Sequence, residues 1–291
     1  MEAARGSRRE SVRSSANAVH SATKRTLIMG ILNITPDSFS DGGIFLARDD
    51  ALRQAERMVA EGADIIDVGG ESTRPGAAPV PLQAELDRVL PVIALLRERV
   101  GAPISVDTSK PEVMEAAVAA GASVVNDVNA LRAPGAREVV ARHKVAACLM
   151  HMQGEPRSMQ AAPQYTDVVQ EVRDFLLAQI AACEAAGIPR ARLWVDPGFG
   201  FGKTLAHNVA LLRGLRAIAD IGLPVLVGLS RKSMIGQAIG LPVGERAHAS
   251  AALALMAVHN GASIVRVHDV QPTADALRMF EAVYAESPER I

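Results

Sequence analysis

The stretch APISVDTSKPEVMEAAVAAGASVVND, residues 102–127, contains one complete structural unit and shows how the rest of the chain is built. It opens with a short apolar run that ends at Asp107, continues through a segment with helical spacing, and closes with a second apolar run that ends at Asn126. Pro111 suits the first turn of a helix, and Gly121 stands where that helix should stop. The stretch therefore predicts a strand, a helix and a second strand in direct succession.

The same alternation of short apolar runs and longer amphipathic segments continues along the chain, and it is typical of parallel strands joined by covering helices. The predicted strands are Thr26–Leu32, Ala63–Val68, Pro103–Val106, Ser123–Val125, Val145–Leu149, Leu193–Val195, Pro224–Val227 and Ser263–Val267. The predicted helices are Ala51–Glu61, Leu82–Val100, Pro111–Ala120, Ala136–His143, Thr166–Ala186, Leu205–Ala219, Glu245–Asn260 and Thr273–Tyr284. Because eight strands are the number that closes a (β/α)8 TIM barrel, the sequence predicts an α/β fold of that type.

Length and composition agree with a single barrel. The chain has 291 residues and is 49% hydrophobic, which is enough to bury a large core, and barrels of this size ordinarily form one domain. We predict that this domain covers residues 26–287 and follows a disordered basic tail, residues 1–25, that is rich in Arg and Ser. The tail contains no apolar run, so it does not fit a secretory signal.

Composition also excludes several classes of partner. The formal net charge of -1 provides no overall positive field for nucleic acid or for an anionic membrane surface, and no apolar stretch is long enough to span a bilayer. The two cysteines, Cys148 and Cys183, are too few for a disulfide framework and lack the spacing of a zinc site. We therefore expect a cytoplasmic protein that acts on small molecules.

Polar residues follow the predicted strands, at the end of a barrel where catalytic groups stand. One set combines hydrogen-bond donors with oxygens that suit a phosphate group and its magnesium ion. Its members are Asn33, Ser72, Thr73, Arg74, Lys232, Arg266 and His268. A second set, Asp107, Asn126 and Asp196, can pair with the donor-rich edge of a fused heterocycle. Asp and Asn are also ordinary turn formers, but their joint occurrence predicts a substrate with a flat polar ring and a phosphate tail.

Seven strings of sequence, in order along the chain, carry a family resemblance. They are GILNITPDSFSDGG at Gly30–Gly43, DVGGESTRPGA at Asp67–Ala77, SVDTSKPEV at Ser105–Val113, LMHMQG at Leu149–Gly154, DPGFGFGK at Asp196–Lys203, GLSRKSMIG at Gly228–Gly236 and RVHDV at Arg266–Val270. They resemble the motifs of the pterin-binding enzymes, and within these the dihydropteroate synthase family. The resemblance covers Leu27 to about Tyr284, which is nearly the whole predicted domain.

The resemblance implies a reaction. Enzymes of this family condense (7,8-dihydropterin-6-yl)methyl diphosphate with 4-aminobenzoate (p-aminobenzoate) to give 7,8-dihydropteroate and diphosphate in folate biosynthesis. It also implies Mg2+ as cofactor, a homodimer, and sensitivity to sulfonamides, which mimic 4-aminobenzoate.

Roles for individual residues follow from the same resemblance. Asn33 is expected to bind Mg2+ and the diphosphate, and Arg74, Arg266 and His268 to hold the phosphate oxygens. The expected pterin pocket consists of Asp107, Asn126, Met150, Asp196, Phe201, Gly228 and Lys232. Thr73, Pro75 and Ser233 match the region that receives 4-aminobenzoate, and Phe39 and Asp41 match a loop that is expected to close over the site.

The chemistry agrees with these roles. An aromatic amine displaces diphosphate from a methylene carbon, and this needs no protein nucleophile if the ring stabilises a developing cation. Stabilisation of the leaving group then dominates, at about 3–4 kcal/mol for each well-placed donor. A strong general base is not needed because the aromatic amine is already neutral near pH 7. The expected catalytic residues are Asp41, Arg74, Lys232, Arg266 and His268.

Two other hypotheses remain. A methyltetrahydrofolate-corrinoid methyltransferase also holds a folate in such a barrel and would keep Asp107, Asn126 and Asp196, but it would not need a phosphate cluster. A catalytically silent pterin-binding homologue would be expected to lose the phosphate groups or Asp41. The segments Thr73–Arg74, Ser230–Lys232 and Arg266–His268 together favour the synthase over the methyltransferase. The phosphate groups and Asp41 are all present, which disfavours a silent homologue.

Overall fold

The computed structural model describes residues 25–34, 43–72, 77–154 and 159–284, except for the side chains of 43–47. Its strands are β1 (Leu27–Asn33), β2 (Ile65–Gly69), β3 (Ile104–Asp107), β4 (Val124–Asp127), β5 (Ala146–Met150), β6 (Leu193–Asp196), β7 (Leu226–Val227) and β8 (Ile264–Val267). They form one eight-stranded parallel sheet in the order β6-β5-β4-β3-β2-β1-β8-β7. A parallel bridge between Val195 and Val225 joins its two ends. The predicted (β/α)8 barrel is therefore confirmed.

Helices follow the strands and pack around the barrel. Those in the described residues are α1 (Gly43–Glu61), α2 (Leu82–Arg99), α3 (Pro111–Ala120), α4 (Ala136–His143), α5 (Val168–Ala185), α6 (Leu205–Arg213), α7 (Leu215–Ala219), α8 (Ser233–Ile239), α9 (Ala247–His259) and α10 (Val270–Tyr284). Two short 3-10 turns, Arg190–Arg192 and Val243–Glu245, precede β6 and α9. None of the helices in the described ranges is long and apolar enough to cross a membrane.

The helices depart from the sequence prediction at a few points. The segment predicted as one helix, Leu205–Ala219, divides at Gly214 into α6 and α7. A Cβ at Gly214 would lie 2.7 Å from Cγ2 of Val169 on α5, so the absence of a side chain permits this close packing. The short helix α8 was not predicted, because its first half lies in the motif Gly228–Gly236, which indicated only site residues.

The barrel interior is filled in layers by side chains from alternate strands. Its lower half is apolar apart from Ser105 and contains the cluster Leu27, Met29, Ile65, Val124, Ala146, Cys148, Trp194, Leu226 and Ile264. A much larger apolar core lies between the outer face of the sheet and the helices. The barrel is thus a packed support for the residues at the carboxyl ends of its strands.

The chain enters this barrel at the opposite end. Residues 1–24 of the predicted tail lie outside the described residues. Arg25 is described, and its guanidinium pairs with the carboxylate of Asp64 at the start of β2. The same carboxylate accepts a hydrogen bond from the backbone N–H of Ile28 at 2.9 Å. The first strand is therefore held in place from its amino-terminal end.

Candidate active site

The strand register places four polar residues in one layer of the barrel. They are Asp67 on β2, Asn126 on β4, Asp196 on β6 and Arg266 on β8. If the strand pairing is followed from one member to the next even-numbered strand, it leads to a residue two positions before the next member, as from Asp67 through Ser105 to Val124. This stagger is the one that a closed TIM barrel requires for residues at the same height. The layer stands directly above the apolar lower half, so it forms the floor of the barrel mouth.

Two carboxylates grip the single guanidinium in this floor. Arg266 donates from Nε to Oδ2 of Asp67 at 2.6 Å, and from Nη2 to Oδ2 of Asp107 at 2.6 Å. Asn126 donates from Nδ2 to the same Asp67 oxygen at 3.1 Å. The resulting network connects β2, β3, β4 and β8 and fixes the side chains that face the mouth.

A pocket opens above the floor and encloses about 340 Å³ of space, some of it open to solvent. It is lined by Asp107, Asn126, Val128, Met150, Asp196, Phe199, Phe201, Gly228, Lys232 and Arg266. The seven residues predicted for the pterin pocket are all among them, together with Arg266, which was predicted to hold phosphate oxygens. Val128 and Phe199 were not predicted. The structure thus brings these residues together, and their substrate contacts stay predictions.

The pocket walls combine apolar and charged surfaces. Nζ of Lys232 lies 4.1 Å from the centre of the Phe201 ring, a distance at which a cation is attracted to an aromatic face. Met150, Met152, Met159 and Phe201 form a separate apolar cluster at this rim. Such walls suit the faces of a flat ring, while the floor offers acceptors and donors for its edge.

Burial and charge shift the pKa values of the groups around the pocket. Burial raises the pKa of the Asp107 carboxyl well above its ordinary range, against the opposing charge of Arg266. Burial likewise raises the pKa of Asp196 and lowers the pKa of Lys232 to about 8, although Asp196 opposes that decrease. Burial also disfavours the charge on Arg266, but Asp67 and Asp107 outweigh it and raise the pKa of the guanidinium. Perturbed groups of both signs in one cleft are characteristic of active sites.

The loop after β6, residues 197–203, is held together by its own last residue, the buried Lys203, which was not predicted from the sequence. Nζ of Lys203 donates to the carbonyl oxygens of Gly198 at 2.9 Å and Phe201 at 3.1 Å. It also lies 2.9 Å from Nδ1 of His151 at the end of β5. Burial lowers the pKa of Lys203 to about 7 and that of His151 to about 3. A neutral His151 therefore accepts a hydrogen bond from Lys203, and this contact ties the loop to β5.

The loops after β7 and β8 are joined to each other. Oγ of Ser230 accepts a hydrogen bond from the backbone N–H of His268 and lies 3.1 Å from its Nδ1. Arg231 forms an ion pair with Asp269, with Nε to Oδ2 at 2.9 Å. These contacts set the position of His268 at the mouth. Ser233 is the first residue of α8 and is exposed.

The remaining predicted residues divide into two groups. Asn33 ends β1 and is exposed at the mouth, where a Cβ added at Gly69 would lie 3.5 Å from both Oδ1 of Asn33 and Cβ of Asp107. Asn33 is therefore close to the pocket floor. Phe39, Asp41, Thr73, Arg74 and Pro75 lie outside the described residues.

The donor set near the mouth fits one kind of magnesium site. The described part of the chain contains no group of three or more His, Cys, Asp or Glu residues that could hold a metal ion. Mg2+ at phosphate-transfer sites is commonly held by one or two protein oxygens together with substrate phosphates and water. An exposed carboxamide oxygen such as that of Asn33 fits an ion that arrives with the diphosphate.

Comparisons with known proteins agree with this site. The chain is 52% identical over 255 residues to the dihydropteroate synthase of Escherichia coli K12, a match that covers 88% of this chain and 90% of the relative. The dihydropteroate synthase of Xanthomonas albilineans with 4-aminobenzoic acid superposes with a TM-score of 0.85 at 52% identity, covering 91% and 95% of the two chains. That of Burkholderia cenocepacia complexed with 7,8-dihydropteroate gives 0.83 at 53% identity, covering 92% and 94%.

A family profile matches most of the chain as well. The profile described as pterin binding enzyme matches residues 29–268, which include every strand except the first two residues of β1. The relatives named above are synthases, so the corrinoid-dependent hypothesis gives way. The chain belongs to the pterin-binding enzyme family and, within it, to the dihydropteroate synthases.

Proposed function

We propose that the chain condenses (7,8-dihydropterin-6-yl)methyl diphosphate with 4-aminobenzoate at the barrel mouth, and that the residues of the pocket divide this work between ring binding and leaving-group stabilisation. The observation that carries the proposal is the pocket itself, in which Asp107, Asn126 and Asp196 stand beside the cations of Lys232 and Arg266. Relatives with about half of their residues identical were solved with 4-aminobenzoic acid and with 7,8-dihydropteroate. Dihydropteroate synthesis needs both kinds of group, because the pterin ring presents N–H donors to acceptors and the leaving diphosphate is stabilised by cations.

The ring half of the substrate occupies the pocket. Asp196 and Asn126 accept hydrogen bonds from the N–H groups on its edge, and Lys232 donates to its ring oxygen or nitrogen. Phe201 and Met150 cover the faces of the ring and exclude water. Carboxylates at the ring edge also favour a ring that gains positive charge when the bond to diphosphate breaks.

The diphosphate half lies toward β8 and β1. Arg266 and His268 stabilise the negative charge that accumulates on the leaving oxygen, and Arg74 adds a further cation. When bound, Mg2+ at Asn33 neutralises part of the diphosphate charge. The carbon that loses diphosphate then bonds to the nitrogen of 4-aminobenzoate, which gives up its proton after the C–N bond has formed.

The second substrate approaches over the loops. Ser233 is exposed beside the mouth, and with Thr73 it binds 4-aminobenzoate. Asp41 closes over the site and limits hydrolysis of the reactive ring. Sulfonamides compete at this position because they share the shape of 4-aminobenzoate.

The chain acts as a homodimer in the cytoplasm. Large apolar side chains on the last two helices are exposed, among them Met256 on α9 and Met279, Val283 and Tyr284 on α10. A patch of this kind is more typical of a protein interface than of a free surface. The two cysteines are free and buried, which suits a reducing compartment.

The test is a coupled product assay. Purified protein is incubated with (7,8-dihydropterin-6-yl)methyl diphosphate and Mg2+, with and without 4-aminobenzoate, and both diphosphate and dihydropteroate are measured. Amine-dependent formation of both products in equal amounts is expected. Tight pterin binding without product would instead identify a catalytically silent homologue.

A further inference from the structure

Asp67 is the member of the polar floor to which the sequence assigned no role. It is fully buried and does not line the pocket, yet it contacts two residues that do. One of its oxygens, Oδ2, accepts from Nε of Arg266 at 2.6 Å and from Nδ2 of Asn126 at 3.1 Å. Its other oxygen, Oδ1, is buried and has no hydrogen-bond partner among the described residues. Burial of a carboxylate oxygen without a hydrogen-bond partner costs free energy. We therefore look for the role of Asp67 in the two contacts that its other oxygen, Oδ2, makes.

The position of Asp67 in the barrel explains how one oxygen reaches both partners. Strand β2 pairs with β1 and β3, whereas Asn126 is on β4 and Arg266 is on β8. Each partner is therefore two strands away, on opposite sides. Because side chains from alternate strands meet in the same layer of a TIM barrel, Asp67 lies between them and joins the two halves of the floor.

The contact with Asn126 determines what that amide can offer to a ligand. A carboxylate only accepts hydrogen bonds, so it excludes the flipped amide in which Oδ1 would face Asp67. Oδ1 of Asn126 is thereby kept as an acceptor for the pocket. The contact with Arg266 acts in a similar way, because binding through Nε leaves Nη2 free to donate to Asp107.

We propose that Asp67 is a positioning residue that orients Asn126 and Arg266 for the pterin substrate without touching it. The inference rests on the proposed function, in which Asn126 binds the ring of the pterin diphosphate and Arg266 its diphosphate group. Asp67 affects the pterin, and not 4-aminobenzoate, because both of its partners line the ring pocket. It therefore acts mainly on the KM for the pterin diphosphate.

The substitution D67N tests this with little change in volume. An amide at this position can donate as well as accept, so Asn126 is no longer held in one orientation, and Arg266 keeps Asp107 as its ionic partner. We expect the KM for (7,8-dihydropterin-6-yl)methyl diphosphate and the Kd for diphosphate-free 6-hydroxymethyl-7,8-dihydropterin to rise about tenfold, the effect of one charge-assisted hydrogen bond. The KM for 4-aminobenzoate should stay within about twofold because no contact to it is altered.

Ser105 provides a matched control. It is fully buried in the layer directly below Asp67, and its Oγ has no hydrogen-bond partner in the described part of the chain. The variant S105A perturbs the same interior without removing an oriented contact, so both KM values should match the parent. If D67N lowered the Tm while both KM values and the Kd for 6-hydroxymethyl-7,8-dihydropterin stayed at the parent level, Asp67 would be structural and the proposal overturned.

A double variant keeps the test open if D67N does not fold. D67N/R266Q lacks both charges, and it is compared with R266Q, in which Asn126 still has its acceptor. A further loss of pterin affinity of about threefold or more is expected from the release of Asn126, and equal affinity overturns the proposal. The parent enzyme distinguishes this result from failure of the proposed function, because parent protein that binds pterin but forms no dihydropteroate contradicts the function alone.

Discussion

Lys232 combines three properties that make its proton important. Its ammonium lies over the Phe201 ring, it lines the pocket, and burial lowers its pKa to about 8. A lysine in water keeps its proton well beyond that pH. In this site Lys232 therefore loses its proton within the pH range of ordinary enzyme assays.

The pH dependence follows directly from this pKa. If Lys232 donates to the pterin, as proposed above, that donor is present below about pH 8 and is lost above it. Because kcat/KM reports the free enzyme, kcat/KM for the pterin diphosphate should fall as the pH rises through 8. K232R remains charged at all these pH values, so its profile should lack this fall, even if its activity is lower. An alkaline fall of equal midpoint in both proteins would show that another group is responsible.

Asn33 allows a separate test of the metal. If its carboxamide oxygen binds Mg2+, N33A should require several-fold more Mg2+ for half-maximal turnover, because one protein ligand has been lost. Chelation of the metal should abolish turnover by the parent, and added Mg2+ should restore it. The Kd for diphosphate-free 6-hydroxymethyl-7,8-dihydropterin serves as the internal control and should not change. An unaltered Mg2+ requirement in N33A would remove Asn33 from the metal site.

Single residues also show where sequence reasoning succeeds and where it stops. Asp107, Asn126 and Asp196 were predicted to converge because each ends a strand, and the barrel brings them to one pocket. Asp67 is the same kind of residue near the end of its strand, but spacing alone does not reveal that it points into the floor. Lys203 was missed for another reason, since lysines are rarely buried and only the loop fold supplies its three partners.

At the scale of elements, the loop after β6 shows how backbone geometry shapes the pocket. Gly198 has φ +70, in the left-handed region, and its N–H donates to Oδ1 of Asp196 at 2.7 Å. A Cβ at this position would lie 1.8 Å from the carbonyl oxygen of His151. The loop therefore lies against β5 at a distance that only glycine permits, and this places Phe199 and Phe201 at the pocket.

The variant G198A should lose both stability and pterin affinity. The control is G187A, where φ is +85 but nothing lies within 4 Å of the added Cβ. G187A carries only the cost of a left-handed alanine, about 1–2 kcal/mol, measured by denaturant unfolding. G198A carries this cost and the clash with His151, so its free energy of unfolding should fall further and its pterin KM should rise. Equal stability of the two variants would mean that the loop moves away without strain.

Element boundaries were predictable where a local signal marks them. Pro111 and Gly121 bound α3 as the sequence indicated, with Gly121 at φ +133. The break at Gly214 was not predicted, and the close approach of Val169 from α5 at this glycine is a tertiary contact that local sequence does not reveal. The length of β7 was not predictable either. Val225, just before this two-residue strand, forms only an isolated bridge to Val195 of β6.

At the scale of the whole molecule, closure of the barrel brings together what the sequence separates. Asp67 and Arg266 are 199 residues apart, yet their side chains share a hydrogen bond of 2.6 Å. Prediction of eight parallel strands implied that the strand ends meet, but the contacts within a layer depend on the stagger between strands. That stagger becomes available only when the sheet is closed, which is why the site could be predicted as a group and its internal pairing could not.

The outer surface of the molecule carries the remaining prediction, which concerns assembly. Helices α9 and α10 pack against each other, and Met279, Val283 and Tyr284 on α10 are 65%, 68% and 63% exposed. Apolar side chains of this size gain most when a second surface covers them, at about 25 cal/mol for each Å² removed from water. In a symmetric dimer the same surface of both subunits forms the interface, so a single contact buries the patch of each subunit.

Light scattering after size exclusion should therefore give twice the chain mass of 30.7 kDa. In M279E/V283E two charges would have to be buried at that surface without partners, so the variant should elute as a monomer and keep its Tm in the range of a folded barrel. The control L82E places a charge on an exposed apolar residue of α2 and should remain a dimer. A parent protein of single mass, or a dimer in M279E/V283E, would contradict an interface at α10. None of the residues that line the pocket is on α10, so the monomeric variant should still bind pterin with the affinity of the parent.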